Sequence, residues 1–254
     1  MGGVALVIPV INEGETIAAV VRDVPRGVVD VVIVVDGGST DMTAARARQA
    51  GALVIIEPQS GYGAACLAGI RAAPAHCQIV AFIDGDGSDD PQDISRLVSP
   101  IQSGAHDFVI GSRARGRREP GSMAIHQLFA GHLAGLAIQA LYGVRFTDMG
   151  PLRAIRRDAL ERLNMQERTY GWNLEMQMRA ARAGLRILEL PVNHRRRAGG
   201  TSKVAGSLLG TVKASWQLTV TMVQVSCSRS CSHRVSPRLG PPRERSSNVR
   251  GRVV

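Results

Sequence analysis

An α/β fold built on a doubly wound, mostly parallel sheet is predicted by two features of the chain. Short apolar runs rich in β-branched residues alternate with helix-length stretches, and each run is apolar at successive positions. A strand of that kind is buried on both faces, which happens when helices cover either side of a parallel sheet. A third feature concerns placement: polar and acidic clusters begin where apolar runs stop. In such sheets ligands gather beyond the carboxyl ends of the strands.

The elements follow in order. VALVIPV (4–10) is the first strand, and 14–24 a helix. VDVVIVVD (29–36) is the second strand, followed by a helix over 40–50 that Gly51 closes. ALVIIEP (52–58) and a helix over 62–73 come next, then the strand QIVAFID (78–84). The helix over 91–103 is well signalled, with Asp90 as N-cap, Pro91 at the first helical position and Gly104 just past the end. DFVIGS (107–112) is the fifth strand. Strict β-α alternation over about the first 112 residues gives the doubly wound core.

Composition narrows the function classes. The 254 residues allow one large domain or two small ones with a sizeable core. No stretch of about twenty uninterrupted apolar residues occurs, so no spanning helix is expected. The opening MGGVALVIPVINE lacks a charged n-region and reads as a strand, not a secretory leader. Cys66, Cys77, Cys227 and Cys231 have no paired metal spacing, so a reducing, cytoplasmic setting without a disulfide framework is expected. The net charge of +10 is uneven: 227–254 holds seven Arg against one Glu, is rich in Ser and Pro, and has no apolar period. Such a tail is expected to be disordered, either a solvated extension or an attraction to anionic lipid or nucleic acid. Its lack of aromatics and of any RNA-binding motif argues against a specific nucleic-acid partner.

The chemistry concentrates in AFIDGDGSDDP (81–91), where Asp84, Asp86, Asp89 and Asp90 crowd like charge past a buried strand. Repulsion makes this unfavourable unless a cation, a helix N-terminus or solvent offsets it. Capping and solvation account well for Asp89 and Asp90. Asp84 and Asp86, one residue apart and expected at a solvent-facing edge, instead suit a shared Mg²⁺ or Mn²⁺, whose remaining positions a diphosphate would fill. A dinucleotide fingerprint is excluded, because PVINEGE follows the first strand, and no P-loop occurs. GYGAACLAG (61–69) reads equally as turn and packing glycines.

The ordered set IPVINE, VVDGGSTD, GYGAACLAGI, FIDGDGSDDP, FVIGSR, TDMGPLRAIRR, WNLEMQMRAARAGLRILELPV and RAGGTSK resembles family 2 glycosyltransferases of the GT-A fold, in the dolichyl- and polyprenyl-phosphate sugar synthase branch. The likeness runs from about Val4 to Lys203. It implies that Pro9, Asn12, Glu13 and Asp36 line a nucleotide pocket and that Asp84 and Asp86 form a DXD motif carrying the metal. It also implies that Arg113 contacts phosphate, and that Arg197, Ser202 and Lys203 belong to a loop over the donor diphosphate and acceptor phosphate. Three positions depart from the family's pattern: Gly37 where a second acid is common, Ser88 where many relatives have glutamine, and Pro151 where bacterial relatives have an acid. Asp148 is then the local acid left to assist the acceptor, although a phosphate acceptor is already ionised near neutral pH.

Two further segments bear on membranes. MAIHQLFAGHLAGLAIQALYGV (123–144) presents Leu128, Leu133, Leu136, Leu141 and Tyr142, and reads either as a core helix or as an interfacial one. Residues 204–226 are apolar but contain Lys213 and Trp216, which suits a surface better than a bilayer centre. The division expected is thus a glycosyltransferase domain over 1–203, an apolar helical segment over 204–226 and a basic tail over 227–254. The reading that follows is a metal-dependent, inverting hexosyltransferase that takes a nucleotide-sugar donor such as UDP-glucose or GDP-mannose. It would act on a prenyl-phosphate acceptor, peripheral to the cytoplasmic membrane face or anchored by a membrane-protein partner or homo-oligomer. The rivals are the same fold acting on diacylglycerol or a soluble hydroxyl compound, and a non-catalytic nucleic-acid-binding protein.

Overall fold

The computed structural model describes residues 2–123 and 125–197, with side chains throughout except at 125–130. The expected positions Ser202 and Lys203, the segment 204–226 and the tail 227–254 lie outside the described residues.

Four β-α steps and a fifth strand appear as anticipated, with shorter elements: β1 (Gly3–Val10), α1 (Ile17–Arg22), β2 (Val31–Asp36), α2 (Thr43–Gln49), β3 (Leu53–Ile56), α3 (Tyr62–Ala72), β4 (Cys77–Phe82), α4 (Asp93–Gln102) and β5 (Phe108–Ser112). They are followed by α5 (Ile125–Tyr142), β6 (Arg153–Arg156), α6 (Arg157–Leu163), α7 (Trp172–Arg182) and β7 (Ile187–Pro191). The start of α4 corrects the sequence reading. Gln92, not Asp90, is its N-cap, and Pro91 sits in the preceding turn, where the Asp90 carboxylate accepts the Gln92 N–H at 3.0 Å. Gly104 does follow the helix, at φ +74°.

One seven-stranded sheet runs in the order β3-β2-β1-β4-β6-β5-β7. All pairings are parallel except those of β6, which is antiparallel to both β4 and β5. The strand order reverses between β1 and β4, and the crevice above their carboxyl ends is where such a sheet binds ligands. The inversion of β6 matters as much. Arg153 pairs with Phe82 at the end of β4 and with Ile110 on β5. An antiparallel strand therefore brings its beginning, and the preceding segment 147–152, to the same edge where parallel strands bring their ends.

Side chains alternate along β1 between two cores. Ala5 and Val7 join a cluster with α3, α5, α6 and α7, while Val4, Leu6 and Ile8 join one with α1, α2 and α4. Helices thus cover both faces, the arrangement the continuous apolar runs require. The glycines of GYGAACLAG serve turns and packing. A Cβ on Gly61 or Gly63 would meet backbone oxygens of Arg168 and Glu167 at 2.2 and 2.3 Å, and one on Gly69 would meet Val7 Cγ1 at 2.3 Å.

The far end of the sheet is tied by charge. Asp107, before β5, accepts hydrogen bonds from Arg186 Nε at 3.0 Å and Nη2 at 2.8 Å, and Arg156 lies 3.3 Å away. The Arg186 hydrogen bonds hold the Asp107 carboxyl down at about 2.

Two predictions follow from this packing. Gly69→Ala will destabilise the protein by about 1–3 kcal/mol, the usual range for overpacking, read as a shifted urea midpoint at unchanged m-value. Asp107 has a folded-state pKa below its ordinary value, so its contribution is complete above about pH 4 and is lost as pH falls towards about 2. Asp107→Asn will flatten stability across that window, measured as urea midpoints against pH.

Candidate active site

The edge above β1 and β2 is shaped by backbone capture. Asn12, at φ +53°, directs its Oδ1 to the Thr40 N–H at 2.8 Å, while its own N–H reaches Ser39 Oγ at 2.8 Å. Asp36, buried at the end of β2, accepts the N–H groups of Gly38 and Ser39 at 3.1 and 2.7 Å. The Glu13 N–H donates to Thr43 Oγ1 at 2.9 Å, and Pro9 is buried within β1. These four expected pocket residues therefore lie together at the ends of β1 and β2. Asp36 and Asn12 hold the turn between β2 and α2 against the turn after β1.

Beyond β4 the acids are less exposed than the sequence suggested. Asp86 is only 4% accessible, and Asp84 is half-buried with its Oδ1 fully enclosed and without a hydrogen-bond partner. The expectation of solvent-facing carboxylates is thus corrected: packing of Gly85 against Val10 and Ile17 draws the loop inward. Burial, then the charges of Asp86 and Asp89, push the Asp84 carboxyl up to about 8 against the opposing pull of Arg113 and Arg197. Asp86 Oδ1 accepts the Ser88 N–H at 2.9 Å and the Ser88 hydroxyl at 2.6 Å, while its Oδ2 faces Arg197 Nε at 2.9 Å. Ser88 thereby orients the Asp86 carboxylate.

Asp89 is the second correction. It does not cap α4; it is buried and pairs with His194 Nδ1 at 3.0 Å. His194 is a node where three segments meet, bridging Asp89 on one side and Arg118 on the other. The Arg195 N–H donates to the Ser88 carbonyl at 2.8 Å and its guanidinium to Asp90 at 2.8 Å. Gly116 presses on Val192, so closely that a Cβ there would lie 1.9 Å from the Val192 carbonyl oxygen. The acidic loop after β4, the loop carrying Arg113 and the segment carrying Arg197 are therefore stitched into one body.

Arg113 is nearly buried. Asp148 receives its Nε and Nη2 at 2.8 Å each, plus the N–H groups of Arg113 and Met149 at 2.8 and 2.7 Å. Burial favours a neutral Asp148, but the Arg113 hydrogen bonds and charge outweigh it and hold the carboxyl below its ordinary value. Asp148 is thus occupied on both oxygens. It orients Arg113 and is poorly placed to take a proton. Below it Arg153 is completely buried, donating to the Asn173 carbonyl at 3.2 Å and to the Gly150 carbonyl, and burial pulls its guanidinium down to about 10. Sequence reasoning did not single out His194 or Arg153, and gave Asp89 only a capping role. For His194 the readable signal was the run HRRR (194–197), whose three arginines are opposite in sign to the four acids of DGDGSDD (84–90).

The two acids suit a divalent cation. A buried carboxylate oxygen without a partner, among like charges, is what a hard cation with oxygen preference would satisfy. Among the described residues no three His, Cys, Asp or Glu side chains form a complete metal cage. A cation held by Asp84 and Asp86 would take its other ligands from water or from a bound diphosphate. On α5, Ala134 and Ile138 enter the core while Leu133, Leu136 and Leu141 stand about half-exposed, so the helix is both a core element and a source of exposed apolar surface. Among the described residues no helix is long and apolar enough to cross a membrane.

The Arg113–Asp148 pair makes a sharp prediction. Asp148→Asn leaves a nearly buried guanidinium unpaired and will cost about 3–5 kcal/mol, measured by urea unfolding. Adding Arg113→Met will recover part of that loss, since it removes the stranded charge.

Comparison with known proteins agrees with this architecture. The sequence model described as Glycosyl transferase family 2 matches residues 5–163. An uncharacterised glycosyltransferase of Mycobacterium tuberculosis is 40% identical over 215 residues, covering 83% of this chain and 94% of that protein. A polyprenol monophosphomannose synthase of Mycolicibacterium smegmatis is 30% identical over 218 residues, covering 80% of this chain and 81% of the other. Among solved structures, glucosyl-3-phosphoglycerate synthase from Mycobacterium tuberculosis in complex with phosphoglyceric acid superposes with a TM-score of 0.69 at 25% identity, covering 88% of this chain and 80% of that one. The same enzyme with Mn²⁺, UDP-glucose and phosphoglyceric acid gives a TM-score of 0.71 at 24% identity, over 88% and 79% of the two chains. The mostly parallel sheet with helices on both faces is accordingly the Rossmann-like GT-A fold, and the chain belongs to glycosyltransferase family 2.

Proposed function

We propose that this glycosyltransferase moves a hexose, with inversion, from a nucleotide sugar to a prenyl phosphate at the cytoplasmic face of a membrane. The observation that carries the reading is the convergence of Asp84, Asp86, Arg113 and Arg197 on one crevice, where Arg113 and Arg197 both act on the Asp84 charge. A site that gathers two acids and two arginines is matched to two phosphate-bearing substrates bridged by a cation. Donor chemistry draws support from the solved neighbour that holds UDP-glucose and Mn²⁺. Acceptor chemistry draws support from the relative named polyprenol monophosphomannose synthase.

In this reading Asn12, Glu13 and Asp36 shape the pocket for the nucleoside, while Asp84 and Asp86 hold Mg²⁺ or Mn²⁺. When bound, the ion supplies charge neutralisation to the departing nucleoside diphosphate. Arg197 presents forked donors to the diphosphate, and Arg113, kept charged and oriented by Asp148, faces the acceptor phosphate. The acceptor oxygen is already anionic, so attack at the anomeric carbon needs no strong base, consistent with an Asp148 whose oxygens are both engaged. The half-exposed leucines of α5 offer an apolar surface to the lipid interface, a peripheral contact. Ser202 and Lys203 would complete the phosphate-binding segment that begins at Arg197.

The second reading is a soluble phosphorylated acceptor, favoured by the phosphoglyceric acid complex of the structural neighbour. One assay separates them. The full chain is incubated with UDP-glucose or GDP-mannose, Mn²⁺ and either undecaprenyl phosphate, 3-phosphoglycerate or diacylglycerol, and products are identified by mass spectrometry. The expected product is hexosyl prenyl phosphate. Asp84→Ala and Asp86→Ala will each lower its formation at least about a hundredfold, roughly 2.7 kcal/mol, with circular dichroism unchanged. Transfer that persists in EDTA rejects the metal, and transfer to 3-phosphoglycerate or diacylglycerol alone rejects the lipid phosphate.

A further inference from the structure

Both oxygens of the Asp86 carboxylate are in use, but by partners of very different exposure. Oδ1 is held by Ser88, two residues along the same buried loop. Oδ2 is held by Arg197, whose side chain is about one-third exposed. The backbone leading to Arg197 is pinned. His194 pairs with Asp89, the Arg195 N–H donates to the Ser88 carbonyl, and the Arg196 N–H donates to Glu119 Oε2 at 2.7 Å. With its approach fixed, Arg197 can leave Asp86 by swinging its side chain alone.

We propose that Arg197 is a placeholder cation for Asp86, so that a divalent ion at the two acids and the Arg197–Asp86 contact exclude one another. The inference rests on the metal reading given above and extends it to the order of events. An ion arriving at Asp86 needs an oxygen, and Oδ2 is the one whose partner can move. Two cations on one carboxylate repel, so the guanidinium must withdraw. It then has forked donors to satisfy, and a nucleoside diphosphate beside the ion offers anionic oxygens to take them. Metal and nucleotide therefore favour each other, and Arg197 carries part of that coupling in both directions.

The consequence is a change of sign that a plain phosphate-binding arginine would not produce. Without nucleotide, removing Arg197 relieves a competitor and the metal binds more tightly. With nucleotide, removing Arg197 takes away a contact, and the gain that nucleotide brings to metal binding shrinks.

The test uses the full-length chain with Mn²⁺ as the probe, free ion being followed by electron paramagnetic resonance. Wild type, Arg197→Ala and Arg195→Ala are titrated alone and with saturating UDP or GDP. Arg195 is the charge-matched control, since its ion pair goes to Asp90 at 2.8 Å. Arg197→Ala is expected to bind Mn²⁺ alone at least about threefold tighter than wild type, within the range of a partly exposed ion pair. Arg195→Ala is expected to match wild type. Nucleotide should tighten Mn²⁺ binding more in wild type than in Arg197→Ala. Equal or weaker Mn²⁺ binding by nucleotide-free Arg197→Ala overturns the proposal, as does equal tightening in Arg195→Ala, which would reflect net charge. A wild type that binds no Mn²⁺ with either nucleotide overturns the metal reading itself, and the placeholder with it.

Discussion

Three carboxylates, Asp84, Asp86 and Asp89, sit within one short loop and are largely withdrawn from water, and much of the surrounding structure offsets their mutual repulsion. Water screens them little there, so the offset comes from fixed groups and from Asp84 itself, which holds its proton up to about 8. Ser88 and its backbone N–H take one oxygen of Asp86, Arg197 takes the other, and His194 takes one oxygen of Asp89. Arg113 contributes at longer range and is itself held by Asp148. Buried polar groups are tolerated when they are paired, and here the pairing reaches across roughly a hundred residues of sequence.

Topology makes these pairings available. Parallel strands bring their carboxyl ends to one edge, which delivers Asn12, Asp36, Asp84 and Arg113 from β1, β2, β4 and β5. The single inverted strand, β6, adds what parallel strands cannot: a segment that enters the edge before its strand begins, carrying Asp148 to Arg113. Arg153, at the first position of β6, lies under this corner and fastens the carbonyls of Gly150 and Asn173, which ties the turn before β6 to the start of α7.

The first five strands were legible because each is written as a continuous apolar run; β1, β4 and β5 are buried along nearly their whole length, while β3 reads the same way although, as an edge strand, it exposes Leu53 and Ile56. β6 was not, because RAIR hides a fully buried arginine that hydropathy counts as surface. β7 escaped for another reason: it is an edge strand of half-buried residues with Glu189 at its centre, and Glu189 binds the Thr147 N–H and hydroxyl. Of the site, residue types and spacing pointed to Asp84 and Asp86, and the family resemblance to Arg113, Asp148 and Arg197; the fold sets these residues near one another. What could not be read was which acid meets which base. Asp89 looked like a helix cap because local sequence was the only context, whereas its partner His194 lies 105 positions away. Burial of the acids was likewise hidden, since it depends on Gly85 closing against Val10 from a neighbouring strand.

The contact of Gly116 with the Val192 carbonyl has an evolutionary reading. It leaves no room for any side chain, so the loop that presents Arg113 and the segment that presents Arg197 are mechanically one part. A lineage cannot drift one of these loops while the other stays still; a displacement of either is felt by both arginines. New acceptor chemistry on this scaffold would therefore arise more readily from surfaces outside that unit, such as the exposed ridge of α5, than from the arginines themselves.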